Sequence, residues 1–388
     1  MGDSSLEVLF AGVQESAGRE DIRRKLLNGK TLTIKLGVDP TRPDLTLGHM
    51  VVFRKMRQFQ DMGHRTVFLI GDFTTTIGDP SGRSETRPVL TAEQIRQNSQ
   101  TYLDQAFKIL DPAKTEVRRN GEWFREMSFA DALLLAREMT VAQLLERDDF
   151  AKRYGAGTPI PLVEFLYPLL QGYDSLMLDA DVELGGSDQL FNMQVGRTLQ
   201  KSRGGSGQAV LCMPLLVGLD GVRKMSKSYD NYVAFNDSAT DMFGKIMSLP
   251  DDAMGAYFRL LLGYDSGEIA ALEALHPMEA KKRLAGEIVK IFHGAESAVA
   301  ERRRFENVFS DHGLPEELDT IALRSAPADP VELLFASGKF PSKKEIRRLW
   351  EQGALRIGGR RLEPGQKIEE KDRGSVLQVG RREFFRLA

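Results

Sequence analysis

A single cysteine, Cys212, stands in 388 residues. That excludes an intramolecular disulfide framework and a cysteine-based zinc cluster. Its apolar neighbours Val210, Leu211 and Met213 make it read as a small buried hydrophobe. Histidine is also sparse: five are scattered along the chain with no HxxxH pair, so no protein-bound metal is expected. No apolar run is long enough to span a bilayer. The longest, Ala209 to Leu219, is interrupted by Pro214, so no membrane partner is expected. The opening residues lack a basic stretch ahead of an apolar one, and Leu6 stands where a myristoylation signal wants Ser or Thr. A cytoplasmic protein is the expectation. An excess of one charge is missing too: 53 Lys and Arg face 55 Asp and Glu, a net charge of −2. The distribution is uneven, however. From Phe340 to Ala388 thirteen basic residues face seven acidic ones, a surplus of +6 that leaves −8 for the first 339 residues. A basic tail on an acidic body is a footprint of a polyanionic partner.

At roughly 150 residues per domain, the length suggests two or three domains. Thr31 to Asp39 and Arg65 to Gly71 read as strands, the second a continuous apolar run suited to burial on both faces. Between them Leu45 to Asp61 has helical spacing and stops at Gly63. Glu93 to Leu110 sets Ile95, Tyr102, Leu103, Ala106, Phe107 and Leu110 on one helical face. Further strands are expected at Asp181 to Leu184 and Ala209 to Met213. Alternation of strand and helix over about 210 residues implies a parallel α/β sheet. After Asn236 the strand pattern stops and Thr240 to Ser310 reads as helical. Ser325 to Pro330 (SAPADP) looks like a linker. A basic helix, Lys343 to Gln352, then precedes short strand-like pieces broken by glycine. The expected division is a Rossmann-like α/β domain over 1–236, an α-helical domain over 237–325, a linker over 326–339 and a small α+β domain over 340–388.

Neither a GxxxxGKS/T phosphate loop nor a GxGxxG dinucleotide fingerprint occurs. Phosphate-friendly features cluster nonetheless. The first strand runs into Gly37-Val38-Asp39-Pro40-Thr41, and the next helix opens near Gly48-His49. A helix N-terminus offers free N–H groups to an anion, and glycine lets a flat ligand lie on the backbone. Much later, Gly221 to Ser228 is a glycine-led loop holding Arg223, Lys224 and Lys227. Tyr167, Gln171 and Asp174 fall at i, i+4 and i+7, so one helical face carries all three. Taken singly these have bland readings: a solvated charged loop, a satisfied histidine at a helix start, a core tyrosine.

Together they carry a resemblance. Leu47-Gly48-His49 after Asp39-Pro40-Thr41 is similar to the HIGH signature of class I aminoacyl-tRNA synthetases, and Lys224 to Ser228 reads KMSKS, the second signature, in full. Gly71-Asp72-Phe73, Ile77-Gly78-Asp79-Pro80, Leu184 to Gln189 and the Tyr167–Gln171–Asp174 set resemble the bacterial tyrosyl enzymes in particular. The resemblance runs from about Lys30 to the C-terminus. It implies that tyrosine and ATP, the latter with Mg2+, form tyrosyl-adenylate and pyrophosphate, and that tyrosine then passes to the 3′ end of tRNA(Tyr). It further implies a homodimer. The implied phosphate contacts are Thr41, Thr46 and His49, with Arg83, Arg87, Lys224 and Lys227 supplying cations. Gly37, Asp39, Gly48 and Gly186 complete the ATP site, and Asp188 takes the ribose. Asp79, Tyr167 and Gln171 would bind the substrate ammonium, Gln189 its carbonyl and Asp174 its phenolic hydroxyl. The tail resembles a module shared with a ribosomal small-subunit protein, whose phosphate contacts would be Lys343, Lys344, Arg347, Arg348, Arg360 and Arg361. Three positions depart from common patterns. Thr46 replaces the first histidine of HIGH, Lys35 stands where many tyrosyl enzymes carry a tyrosine, and Arg83 stands where lysine is frequent. A tryptophanyl ligase and a non-catalytic synthetase-like RNA-binding protein are the competing readings.

Overall fold

β-branched and aliphatic residues concentrate in the runs that become central strands, and the helices between them return the chain to the same edge. The computed structural model describes residues 9–79, 90–307, 318–323, 326–380 and 383–388. Its first sheet contains β1 (Glu15–Ala17), β2 (Thr33–Val38), β3 (Arg65–Ile70), β4 (Thr115–Arg119), β5 (Val182–Gly186) and β6 (Ala209–Met213), in the order β1-β6-β5-β2-β3-β4. All neighbours are parallel except β1, which closes one edge antiparallel to β6. The expected α/β class with a parallel sheet is therefore present. Two edge strands escape the sequence pattern. β1 has only three residues, and β4 reads TEVRR, half-exposed throughout.

The central strands are buried on both faces, as continuous apolar runs require: Val67, Phe68 and Ile70 of β3 and every residue of β6 are inaccessible or nearly so. Cys212 lies in β6, fully buried, with its thiol pushed up to about 12 by that burial. One face is covered by the Leu162–Met177 and Leu190–Ser202 helices, whose Leu169, Leu170, Val195 and Leu199 pack with Val67, Leu69, Trp123 and Phe124. The Leu47–Asp61 helix buries Leu47, Met50, Val51, Met56 and Phe59, the inward positions its spacing predicts, and Phe53 besides. No helix among the described residues is long and apolar enough to cross a membrane.

The chain divides into two compact units, one through Val299 and one from Ala300. The first takes in most of the helical segment that the sequence suggests as a domain of its own. The seam is apolar and hydrogen-bonded: Tyr257 donates to Val217 O at 2.7 Å, Arg54 to Leu261 O, and the Phe235 and Phe292 rings lie 4.6 Å apart. In the Pro277–Phe305 helix the backbone turns at Gly294, whose φ of 86° glycine alone adopts at little cost.

The second unit begins well before Phe340. Its sheet is β7 (Asp319–Ile321), β11 (Glu383–Leu387), β10 (Val376–Val379), β8 (Leu355–Ile357) and β9 (Arg360–Arg361), in that order. The stretch 326–339, which reads as a linker, instead holds the Pro330–Ala336 helix. Asp329 caps that helix by accepting from Val331 N at 2.8 Å. Val331 and Leu334 join Ile321, Leu323, Ile346, Trp350 and Phe385 in one core, so apolar burial converts an apparent linker into part of a domain.

Candidate active site

In a doubly wound sheet, ligands bind where strand order reverses, outside the carboxyl ends of the strands. Here β3 lies on one side of β2 while β5 and β6 lie on the other. A cleft of about 750 Å3 opens at that place. Its lining contains Gly37, Asp39, Thr41, Thr46, Gly48, His49, Asp79, Tyr167, Gln171, Asp174, Gly186, Asp188, Gln189, Lys224 and Lys227. Residues from five separate segments thus meet in one cavity. Arg83 and Arg87 lie outside the described residues.

Asp174 sits deep in the cleft, 3% exposed. Its Oδ1 accepts from Trp123 Nε1 at 2.9 Å and its Oδ2 from Asn120 Nδ2 at 3.3 Å. Burial pushes its carboxyl up to about 7, against the downward pull of Lys35 and of those two hydrogen bonds. Tyr167 donates to Asp39 Oδ2 at 2.9 Å, and Thr74 donates to Asp39 Oδ1 at 2.8 Å. Burial and the Asp39 charge hold the Tyr167 phenol well above its ordinary value, so it stays protonated. Gly71 makes this close approach possible, because a Cβ there would run into the Asp39 carboxylate and the Thr74 hydroxyl. Gln189 donates to Asp79 Oδ2 at 2.9 Å. Asp39 is therefore tied to the Tyr167 wall, whereas the sequence reading places it with the nucleotide.

Thr46 is buried rather than surface-facing, and it caps the Leu47–Asp61 helix. Its N–H donates to His49 Nδ1 at 3.1 Å, and its Oγ1 lies 3.1 Å from the same nitrogen. Burial, aided by the Lys227 charge, lowers His49 to about 4, so the ring is neutral at pH 7. With Nδ1 accepting, the ring proton sits on Nε2, which leaves a neutral N–H donor. Thr46→Val keeps the shape and removes the hydroxyl beside Nδ1. The adenylate formation that the resemblance implies, followed before the steady state, should then lose about 1 kcal/mol of transition-state stabilisation. A variant as fast as the parent would leave Thr46 a helix cap alone.

The KMSKS loop is built on Asp220 and Asn231. Asp220 accepts from Val222 N and Arg223 N at 3.0 Å each and from Asn231 Nδ2 at 2.9 Å, which holds its carboxyl down at about 2. Asn231 Oδ1 takes the Ser226 N–H at 2.8 Å. The frame sets Lys224 Nζ 2.9 Å from Asp188 Oδ2 and Lys227 Nζ 3.6 Å from Asp44 Oδ2. Burial lowers Lys227 from its usual value, opposed by Asp44. Buried carboxylates in one part of the cleft and two lysines in another, Lys224 more exposed than Lys227, suit a ligand that is a zwitterion at one end and a polyanion at the other. Among the described residues no group of three or more His, Cys, Asp or Glu is placed to hold a metal.

In the second unit, Lys344, Arg347, Arg348, Arg360 and Arg361 are exposed. Lys343 is half-buried, paired with Glu332 at 2.5 Å and stacked over the Phe335 ring. It ties the Lys343–Glu351 helix to its neighbour, which leaves it less available to an outside anion than the other five.

Motif reading misses Thr74, Asn120, Trp123, Asp44 and Glu183. Trp123 leaves a trace, one of two tryptophans in the chain, following Asn120-Gly121. The others carry no sequence signal.

The sequence pattern of the family described as tRNA synthetases class I (W and Y) matches residues 27–310. The chain is 47% identical over 392 residues to a tyrosine–tRNA ligase of Thermotoga maritima, covering all of this chain and 98% of that protein. It is likewise 47% identical to the tyrosine–tRNA ligase of Moorella thermoacetica, over 98% of this chain and 95% of that one. Among solved structures, a tyrosyl-tRNA synthetase complexed with L-tyrosine from Archaeoglobus fulgidus superposes with a TM-score of 0.64 at 20% identity, covering 77% of this chain and 99% of that chain. That likeness speaks for the fold.

Proposed function

The chain belongs to the class I tyrosyl-tRNA synthetases, and from that membership we propose how its residues divide the work of joining tyrosine to tRNA. ATP enters as its magnesium complex. A tyrosine carboxylate oxygen attacks the α-phosphorus, the bond to the β-phosphate breaks, and pyrophosphate leaves. A tRNA ribose hydroxyl then attacks the tyrosyl carbonyl and AMP leaves. Both steps depend on positioning and on preset donors rather than on a covalent enzyme intermediate.

Asp174 accepts the phenolic hydroxyl, with Trp123 and Asn120 fixing its two oxygens. Tyr167, Gln171 and Asp79 take the ammonium group, and Gln189 faces the substrate carbonyl. His49 donates from Nε2 to a phosphate oxygen, Thr41 and Thr46 lie beside it, and Lys224 and Lys227 close on the β- and γ-phosphates. Gly48 and Gly186 leave room for the nucleoside and Asp188 meets its ribose. The observation that carries this reading is Asp174, a carboxylate held by two donors at the buried end of a cleft whose mouth bears two lysines. A non-catalytic protein would have no use for that pairing.

The protein acts as a homodimer in the cytoplasm. The dimer is supported by the Phe129–Ala136 helix, which buries Leu135 but exposes Leu133, Leu134 and 79% of Phe129, with Val141 and Leu162 exposed as well. Large apolar side chains left exposed in this number favour burial against a second copy. The 237–305 helices face the anticodon side of the tRNA, and the basic residues of the second unit grip its backbone. A chain ending at Phe305 tests this division of labour. It should keep tyrosine-dependent ATP–pyrophosphate exchange while tRNA charging falls by about tenfold at physiological salt, where phosphate contacts carry the affinity. Undiminished charging would remove the second unit from tRNA binding.

A further inference from the structure

Beside Gln171, and near enough to Asp174 to act on its charge, lies an ion pair that the reaction scheme does not use. Lys35 on β2 and Glu183 on β5 are direct partners in the parallel register. Their side chains meet at 2.9 Å and are 0% and 2% exposed. The three Lys35 protons go to Glu183 Oε1, to Gln171 O at 2.8 Å and to Ser175 Oγ at 2.8 Å. Glu183 Oε2 accepts from Ser175 Oγ at 3.1 Å and from Gln208 Nε2. Glu183 Oε1 also accepts from Gln171 Nε2 at 3.1 Å.

That last bond determines which way the Gln171 amide points. A side-chain amide has a donor end and an acceptor end, and an ionised carboxylate only accepts. With Nε2 spent on Glu183, the Oε1 of Gln171 is the end left for a ligand. Turning the amide over would set two acceptors against each other at Glu183 and present N–H groups to a substrate cation. A buried carboxylate without a cation is costly, and Lys35 supplies that cation with all three of its donors used.

We propose that Glu183, held by Lys35, is a positioning residue for substrate recognition: it orients the Gln171 amide so that its carbonyl oxygen receives the tyrosine ammonium group. The proposal rests on the assignment of Gln171 to that group. It gives the departure at Lys35 a task in aiming the pocket.

The test compares binding of tyrosine with binding of 3-(4-hydroxyphenyl)propanoate, which lacks the amino group, by titration calorimetry on the full chain. Glu183→Leu, which has no acceptor for the Gln171 amide, should weaken tyrosine about tenfold, the size of a lost hydrogen bond to a charged group, and the deaminated analogue by less than about twofold. Equal losses for the two ligands, or no loss for tyrosine, would overturn the proposal. Gln171→Ala should also lose the preference for tyrosine over the analogue. If it keeps that preference, the ammonium assignment of Gln171 fails; if Gln171→Ala loses it and Glu183→Leu keeps it, the positioning role alone fails. Should Glu183→Leu not fold with Lys35 left unpaired, the exchanged pair Gln171→Glu with Glu183→Gln decides. It conserves the buried charge and still offers an oxygen to the ligand, so tyrosine preference should stay within about threefold of the parent. Loss of preference in a folded exchanged pair overturns the proposal.

Discussion

Asp174→Ala should raise the tyrosine concentration needed for half-maximal ATP–pyrophosphate exchange by roughly ten- to a hundredfold, with the ATP requirement nearly unchanged. In the proposed reading the carboxylate meets only the phenolic end of the substrate, so its loss falls on tyrosine. Equal effects on both substrates would remove Asp174 from that role. The same residue carries a pH signature. Its folded-state value of about 7 lies above the ordinary carboxylate value of 3.8, with burial the main cause. A raised acid favours the folded state fully below its unfolded value, and that contribution is lost as pH rises to its folded value. Between pH 5 and 8 the unliganded parent should therefore lose about 2–3 kcal/mol relative to Asp174→Asn, whose side chain does not titrate. Denaturant unfolding at the two pH values measures the difference directly. A gap that does not change with pH would mean that Asp174 is ionised throughout. His49, lowered from 6.5 to about 4, makes parent and variant alike more stable as pH rises to about 6.5, and that shared change cancels in the gap between them.

Lys227→Ala should slow tyrosyl-adenylate formation by roughly a hundredfold while tyrosine affinity stays within a factor of about two. The ammonium group lies at the cleft mouth, held near Asp44 by a loop whose own frame is Asp220 and Asn231. In the proposed reading it meets charge that moves onto the leaving pyrophosphate, so its effect belongs to the transition state rather than to bound tyrosine. Stopped-flow measurement of the first turnover separates the two. Collapse of tyrosine binding with an unchanged forward rate would give the loop another task.

The residues that repeat a known pattern were legible in the chain, and so were the strands with a clean apolar signal. Arg65 to Ile70 and Ala209 to Met213 read as strands because both faces are buried. β4 did not, because an edge strand with two arginines and a glutamate has neither alternation nor an apolar run. The SAPADP stretch misled for a specific reason. Asp329-Pro330 is also a helix start, with an acceptor at the cap and proline in the first turn, and only packing on Ile346 and Trp350 decides between the two readings. Lys35 stood out as a departure, but its partner Glu183 lies 148 residues away on a strand that pairs with it only in the folded sheet. Asn120 and Trp123 reach Asp174 in the same way, from a segment with no signature. Thr46 was visible as an oddity within a motif, while its bond to His49 needed coordinates.

The one thiol in the chain is both inaccessible and held almost entirely in its protonated form up to strongly alkaline pH. Thiolate is the species that reacts with maleimides and iodoacetamides, so the folded protein is silent toward them without any cysteine having been removed. A Lys344→Cys substitution on the exposed basic helix would therefore accept a fluorophore or spin label at one place only, and the signal from that probe would report tRNA docking free of background from the body of the enzyme.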